Sequence, residues 1–346
     1  MKLVALDGAG GARVTKMASG LKQPWGFGFL PDGGVLITQK GGQLWHLKDG
    51  RKRPVHGVGP VHVAGQGGLL DILVPRDFEQ TRQLFFTQAI AQSDGSGTAL
   101  ATAYLGADGT QLSGWKVLFQ ITPGSKGGRH FGSRLVEARD GTLFMTVGER
   151  GDRPSAQDLS RENGSVLRLT RGGAPALGNP FLKTPGVRPA IWSYGHRNPQ
   201  GAALDLEGRL WVSEHGAKGG DEVNQVKRGA NYGWPVISYG RHYSGKKIGQ
   251  GTSAPGMEQP AFYWDPSIAP SGLMIYSGRL WPEWRGHIFV GSLKYDHIAH
   301  LAGPTLTQLP QISGRETDRV RDIREGPDGA IWFLSEGAGA LYRMTP

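Results

Sequence analysis

Six short stretches of this chain gather the side chains that can do chemistry, and glycine or proline interrupts five of them. Gly65-Gln66-Gly67-Gly68-Leu69-Leu70-Asp71 sets a carboxamide in a glycine-rich loop. Gly127-Gly128-Arg129-His130-Phe131-Gly132-Ser133-Arg134 places an imidazole between two arginines, and Tyr194 to Gly201 brings together His196, Arg197, Asn198 and Gln200. Glu214 to Glu222 contains His215, Gly216 and Ala217. Tyr263 to Gly272 opens on two aromatics, Tyr263 and Trp264. Asp318-Arg319-Val320-Arg321-Asp322 sets two arginines one residue apart. Taken singly, each has an ordinary explanation: a lone histidine is commonly a structural hydrogen-bonding residue, and paired arginines commonly face solvent. The glycine-rich loop lacks the Gly-Lys-Ser/Thr ending of a phosphate-binding loop. Their joint content is more specific. Imidazole trades protons near neutral pH. Arginine forks match carboxylates bidentately, so Arg197, Lys294, Arg319 and Arg321 suit a ligand carrying several carboxylates. Tyr263 and Trp264 would supply a flat aromatic wall. Glycine loops let backbone carbonyls approach a hard cation, and Ca²⁺ takes roughly six to eight oxygens. Without cysteine, and without a His-x-x-x-His helix, zinc has little support.

The elements that would position these loops recur along the chain. A turn of Pro, Asp or Gly is followed by an alternating apolar strand in Val35-Leu36-Ile37-Thr38, Leu84-Phe85-Phe86-Thr87 and Leu143-Phe144-Met145-Thr146. The same unit returns in Leu210-Trp211-Val212-Ser213, Ile288-Phe289-Val290-Gly291 and Ile331-Trp332-Phe333-Leu334. Asp-Gly supplies the positive φ values that tight hairpins require. A propeller blade of four short strands takes about 40–50 residues. Six blades with long loops therefore account for all 346 residues. The expected fold is all-β: one six-bladed β-propeller of four-stranded antiparallel blades with long top-face loops, residues 1–13 forming an N-terminal extension. Closure predicts that Val14–Met17 pairs beside Leu341–Met344, leaving few sheet edges exposed.

Composition agrees. Glycine at 56 and proline at 22, with 10 Trp and 12 Phe, describe short strands and many turns and exclude a helical bundle or coiled coil. The net charge of +10 is spread out, so no nucleic-acid stripe is indicated, although a basic surface favours an anionic cofactor or an acidic redox partner. The absence of cysteine removes disulfides, thiolate nucleophiles and iron–sulfur clusters. No apolar run approaches the roughly 18 residues of a membrane span. Met1 to Gly8 has no apolar centre and is not a signal peptide, but an exported chain whose signal has been removed reads the same way.

Across nearly its whole length the chain resembles the soluble PQQ-dependent aldose sugar dehydrogenases of the glucose/sorbosone dehydrogenase family. The likeness rests on Gln23-Pro24-Trp25-Gly26-Phe27, the Gly65–Asp71 loop and His130-Phe131-Gly132. It continues through Gly195-His196-Arg197-Asn198-Pro199-Gln200-Gly201, Ala230-Asn231-Tyr232-Gly233-Trp234-Pro235 and Trp264-Asp265-Pro266-Ser267-Ile268-Ala269-Pro270-Ser271-Gly272. The resemblance implies a propeller holding pyrroloquinoline quinone (PQQ) and Ca²⁺ at the top of its channel and oxidising aldoses to lactones. It implies that His130 is the general base, taking the proton of the anomeric hydroxyl while C1 gives hydride to the quinone. Arg197 would stabilise charge on the quinone oxygens. Gln66, Asn198, Lys294, Arg319 and Arg321 would hold the cofactor, and the carbonyls of Gly216 and Ala217 would bind Ca²⁺. Electrons would leave to an acceptor such as a cytochrome or a quinone, from a periplasmic monomer or weak homodimer. Three positions depart from the family pattern: Ala217 stands for a common Pro, Ser133 for a frequent Gly and Glu149 for a usual Asp. A metal-dependent lactonase-type propeller and a non-catalytic binding propeller are the alternative readings.

Overall fold

The computed structural model describes residues 4–346 and is built almost wholly of strands. Six antiparallel sheets stand around a central channel. Their innermost strands are Pro24–Phe29, Leu69–Leu73, Leu135–Glu137, Pro199–Leu204, Pro270–Ile275 and Val320–Glu325, and each packs against its neighbours in a closed ring. The expected repeats fall one to a blade, always on the second strand: Val35–Gln39, Gln83–Gln92, Leu143–Val147, Leu210–Glu214, Ile288–Ser292 and Ile331–Ser335. These strands are covered on both faces by adjacent blades, which is why they read as continuous apolar runs. Phe85, Phe86, Phe289 and Phe333 on them are completely buried.

The ring closes as expected. Arg13–Ala18 pairs antiparallel with Ala340–Thr345, with Val14 opposite Met344 and Lys16 opposite Tyr342. Residues 4–12, which precede this strand, are anchored to the ring. Val4–Ala5 folds back on Arg13–Val14, and Leu6, Ala9 and Ala12 are buried in a cluster with Tyr276 and Trp281. These small apolar side chains tie the segment to the sixth and fifth blades.

Five of the six innermost strands carry a register shift in their opening residues, between Pro24/Phe27, Leu69/Ile72, Pro199/Gly201, Pro270/Leu273 and Val320/Asp322. A bulge re-aims the side chains around it. Here the irregular residues include Trp25, Gln200 and Arg321, all of which line a cavity at that end of the channel.

Candidate active site

The cavity has a volume of about 510 Å³ and draws on all the blade ends except the third. Lys40, Lys294, Arg319 and Arg321 line it against one carboxylate, Glu336, an excess of three positive charges. Gln66, Asn198, Gln200, His215 and Trp25 complete most of the wall. Glu336 divides itself between two arginines. Its Oε2 accepts from Arg321 Nε at 2.8 Å and Nη2 at 2.6 Å, and its Oε1 lies 3.6 Å from Arg319 Nη2. Burial pushes the Glu336 carboxyl upward, but the two arginines outweigh it and hold it below the ordinary value. Arg321 also donates to Gln200 Oε1 at 2.8 Å, so it is oriented before any ligand arrives.

Below the cavity the channel is stopped by a buried ionic cluster. Arg134 Nη1 reaches Asp71 Oδ1 at 3.1 Å and Asp322 Oδ2 at 3.0 Å, and Arg324 reaches the same two carboxylates at 2.5 and 2.9 Å. Two arginines against two aspartates leave it neutral. It ties the second, third and sixth blades together at the axis and floors the site.

Beside the cavity stands His130, nine-tenths buried. Its Nδ1 lies 2.7 Å from Glu149 Oε1, and its backbone N–H donates to Gln66 Oε1 at 2.7 Å. A carboxylate can only accept, so Nδ1 carries the hydrogen and Nε2 is left with a free lone pair. Burial lowers the His130 pKa, Arg197 and Arg129 lower it further, and Glu149 pulls it partly back. It stays below the ordinary histidine value, so the ring is neutral at pH 7. The backbone here is unusual: His130 has φ +55 and Ser133 φ +86. Ser133 thus occupies the left-handed conformation that favours glycine, and its hydroxyl donates to the Phe131 carbonyl at 3.0 Å. Gly148 is required by close approach, since a Cβ there would enter the His130 carbonyl.

The residue after Glu149 was not singled out from sequence and is the main support of this loop. Arg150 is 1% exposed and has no carboxylate within ion-pair distance among the described residues. Its guanidinium donates instead to the carbonyls of Arg129 and Gly127 and to Ser96 Oγ, and lies over the Phe131 ring at 3.3 Å. Burial brings its pKa down to about 10, still fully charged at pH 7. One dipeptide therefore fixes the imidazole ring through Glu149 and its backbone through Arg150.

Arg197 is buried on the same side, its carbonyl accepting from Glu149 N–H at 2.9 Å. Its backbone N–H donates to Glu214 Oε2 at 2.7 Å, Nη1 donates to the His215 carbonyl at 3.3 Å, and the buried Nε has no partner. Asn198 Oδ1 accepts from Gly132 N–H at 3.1 Å, linking this segment to the His130 loop. Burial, together with the charges of Arg197, His130 and Arg321, pushes the His215 pKa down to about 3. It is a neutral imidazole with a buried, unpartnered Nε2 at the cavity wall. Gly216 and Ala217 follow it; both are buried, and among the described residues their carbonyls accept no backbone hydrogen bond. Asp221 Oδ1 anchors the turn at Gly216 N–H, 2.7 Å. No three His, Asp or Glu side chains converge as a metal-binding set among the described residues. A cation here would depend on backbone oxygens and on the oxygens of a bound ligand.

Of the expected residues, Gln66, Asn198, Lys294, Arg319 and Arg321 line the cavity, His130, Arg197, Gly216 and Ala217 adjoin its wall without lining it, and Tyr263 and Trp264 stand apart. Tyr263 and Trp264 lie on the outermost strand of the fourth blade, Phe262–Trp264. Strand alternation turns Trp264 into the core beside the fifth blade, where its Nε1–H donates to Gln308 Oε1 at 3.0 Å. It turns Tyr263 outward, stacked on Tyr239 with ring centroids 4.0 Å apart. The aromatic wall comes instead from Trp25. Lys40, Gln200, His215 and Glu336 also line the site without having been singled out as binding residues. Lys40 and Glu336 sit just past second strands, a position whose significance only the propeller geometry reveals.

A cationic cavity closing one end of a propeller channel, beside an imidazole kept neutral by burial and oriented by a carboxylate, is the kind of site that suits a polyanionic ligand next to a base. The family model of glucose/sorbosone dehydrogenases matches residues 21–343. The sequence is 41% identical over 336 residues to aldose sugar dehydrogenase YliI of Escherichia coli strain K12, covering 94% of this chain and 91% of that protein. The fold matches the crystal structure of the soluble aldose sugar dehydrogenase from Escherichia coli in its apo form, with TM-score 0.93, 39% identity and coverage of 97% and 99%. It also matches the PQQ-bound form of aldose sugar dehydrogenase from Streptomyces coelicolor, with TM-score 0.80, 27% identity and coverage of 96% and 98%. The chain belongs to the glucose/sorbosone dehydrogenase family.

Proposed function

We propose that this protein oxidises aldoses at C1 to lactones with PQQ as its redox cofactor and Ca²⁺ beside it. The observation that carries this reading is the excess of three cations in the cavity, which matches the three carboxylates of PQQ, set next to a neutral, oriented imidazole. Lys294, Arg319 and Arg321, with Lys40, would hold the carboxylates. Gln66 and Asn198, both already bonded to the His130 loop, would fix the cofactor relative to the base. When bound, PQQ supplies the two-electron oxidation, and the protein orients and tunes it. The Gly216 and Ala217 carbonyls would ligate Ca²⁺, whose chemistry there is Lewis-acid polarisation.

The chain's own residues manage the proton and the charge. His130 Nε2 receives the proton of the anomeric hydroxyl as C1 is oxidised. Glu149 then stabilises the resulting imidazolium through Nδ1. Arg197, buried and with its Nε unpartnered, would stabilise negative charge developing on oxygens of the bound cofactor. Electrons pass on to an external acceptor such as a cytochrome or a quinone. No described helix is long and apolar enough to cross a membrane, and we place the protein in the periplasm.

The test is dye-linked turnover. Protein incubated with PQQ and Ca²⁺ should reduce a phenazine-type acceptor only when an aldose is present, and a chelator added before PQQ should abolish this until Ca²⁺ is restored. Aldose-dependent reduction without PQQ, or no reduction together with no PQQ-induced rise in melting temperature, would refute the reading.

A further inference from the structure

The loop after the third strand of the fourth blade is unusually long and one-sided in charge. Between Glu222 and Glu258 it contains Lys227, Arg228, Arg241, Lys246 and Lys247, and no acidic residue. It packs beside the cavity, its Trp234 ring lying against Arg197. His242 Nδ1 lies 2.7 Å from Arg153 Nη1, Arg153 and Arg197 lie over the same Trp234 ring at 5.2 and 5.3 Å, and Tyr243 stands in the field of Arg197.

Here three cations are set directly opposite one another. Lys218, in the turn that carries Gly216 and Ala217, exchanges both backbone hydrogen bonds with Arg241, at 3.0 and 2.9 Å. Arg241 in turn faces Lys247 across the hairpin closed by His242 N–H to Lys246 O at 2.9 Å. All three residues are exposed, and none forms an ion pair among the described residues. The Arg241 guanidinium touches only the Gly245 carbonyl, at 3.5 Å. Asp265, whose carboxylate lies against Gly219, does not pair with the row. Directly opposed like charges destabilise a pairing, so this arrangement costs the isolated protein stability that an anionic partner would recover. Three strands at about 4.8 Å spacing make a ridge about 10 Å long. That is too broad for one carboxylate, and it faces solvent, whereas a sugar must bring C1 to His130.

We infer that the Lys218–Arg241–Lys247 ridge is the docking point for an acidic electron-carrier protein that empties the enzyme after each turnover. This rests on the dehydrogenase reading above. Oxidation of an aldose to its lactone releases two electrons and two protons. Two ferric haems of the carrier become ferrous, and the protons pass to water. A positive ridge on the turn that follows His215 of the cavity wall steers such a carrier to this side of the site and fixes its orientation.

The experiment uses holoenzyme with PQQ, Ca²⁺ and a neutral aldose, and follows the reduction of an acidic soluble c-type cytochrome beside that of a phenazine dye. Wild-type kcat/KM for the cytochrome should fall as salt is raised, and Arg241→Glu with Lys247→Glu should lower it about tenfold or more at low salt. Dye turnover, which also reports that the variant is folded and loaded, should stay unchanged. Failure of the wild type to reduce the acidic cytochrome while it reduces the dye overturns the inference, as does unchanged cytochrome reduction in the double variant. A variant that instead loses turnover of a uronic acid with dye, and keeps cytochrome reduction, makes the ridge a subsite for anionic sugars and also overturns it. No dye reduction by the wild type would refute the dehydrogenase reading itself.

Discussion

Glu149→Gln tests the base through an atom that never touches substrate. Glu149 is buried and uses both oxygens: Oε1 faces His130 Nδ1 at 2.7 Å, and Oε2 accepts the Gly151 N–H. A carboxamide has one oxygen and one nitrogen, so one of these bonds must be lost. If Gly151 keeps the oxygen, the amide nitrogen faces Nδ1 and forces the ring hydrogen onto Nε2, removing the acceptor that would take the sugar proton. If His130 keeps it, the ring still loses the negative charge that stabilises its protonated form. A hydrogen bond to a charged group contributes about 1.5–3 kcal/mol, which at about 1.4 kcal/mol per decade is roughly a 10- to 150-fold fall in kcat. The pH profile adds a sign. Burial, Arg197 and Arg129 already depress the His130 pKa against the pull of Glu149. Without that pull it falls further, so the acid limb of kcat/KM moves to lower pH as the plateau drops. The assay is dye-linked turnover from pH 5 to 9, with PQQ affinity measured separately by fluorescence quenching. An unchanged plateau, or an acid limb moving to higher pH, would show that His130 is not the base held by Glu149.

Three further outcomes follow from the same geometry. Arg321→Met leaves Glu336 with only its longer contact to Arg319 and should weaken PQQ binding by roughly 10- to 150-fold, one charged hydrogen-bonding partner's worth; an unchanged affinity by equilibrium titration removes Arg321 from the cofactor site. Asp322→Asn breaks the balance of the axial cluster, and urea unfolding should show a loss of about 3–5 kcal/mol; a change below about 1 kcal/mol would mean that the cluster does not brace the ring. Arg150→Met frees the carbonyls of Gly127 and Arg129 and should lower kcat with PQQ affinity nearly intact, whereas loss of both in equal measure would make its role one of general folding.

The blades were legible because their second strands are buried on both faces and punctuated by tight turns, two signals that survive in a single sequence. Closure by Arg13–Ala18 was legible for the same reason: both partners alternate. The anchoring of Val4–Ala12 was not, because Leu6, Ala9 and Ala12 do not alternate as a strand does and find partners more than 250 residues away, in the sequence separation of Leu6 from Trp281. Within the site, residues in dense polar loops were visible and isolated ones were not. Lys40 and Glu336 each follow an ordinary second strand, and only the ring brings them to one cavity. Arg150 resembled a surface arginine because nothing local says that its guanidinium turns inward. Trp264 misled for the opposite reason. It belongs to a loop-flanking motif full of site residues, yet alternation along its short strand assigns its side chain to the core.

The polar groups of the site are sorted across the channel axis. Lys40, Lys294, Arg319, Arg321 and Glu336 come from the fifth, sixth and first blades and their connections, whereas His130, Glu149, Arg197 and His215 come from the third and fourth blades and the loops that enter them. Charge on the first side is paired or shared in advance: Glu336 holds both arginines, and Gln200 orients one of them. Charge on the second side is kept low: His130 and His215 are neutral, and Arg197 is the cation left with an unused buried donor. A polyanion entering such a cavity is drawn to the first side by Coulomb attraction in a partly water-free space. Its uncharged end is then left facing an imidazole with a free Nε2 and a single guanidinium. The neutral axial cluster beneath favours neither side, so the orientation is set by the rim alone. Substitutions among the five residues of the first side should therefore alter how tightly the cofactor is held, and those on the second side how fast it is used.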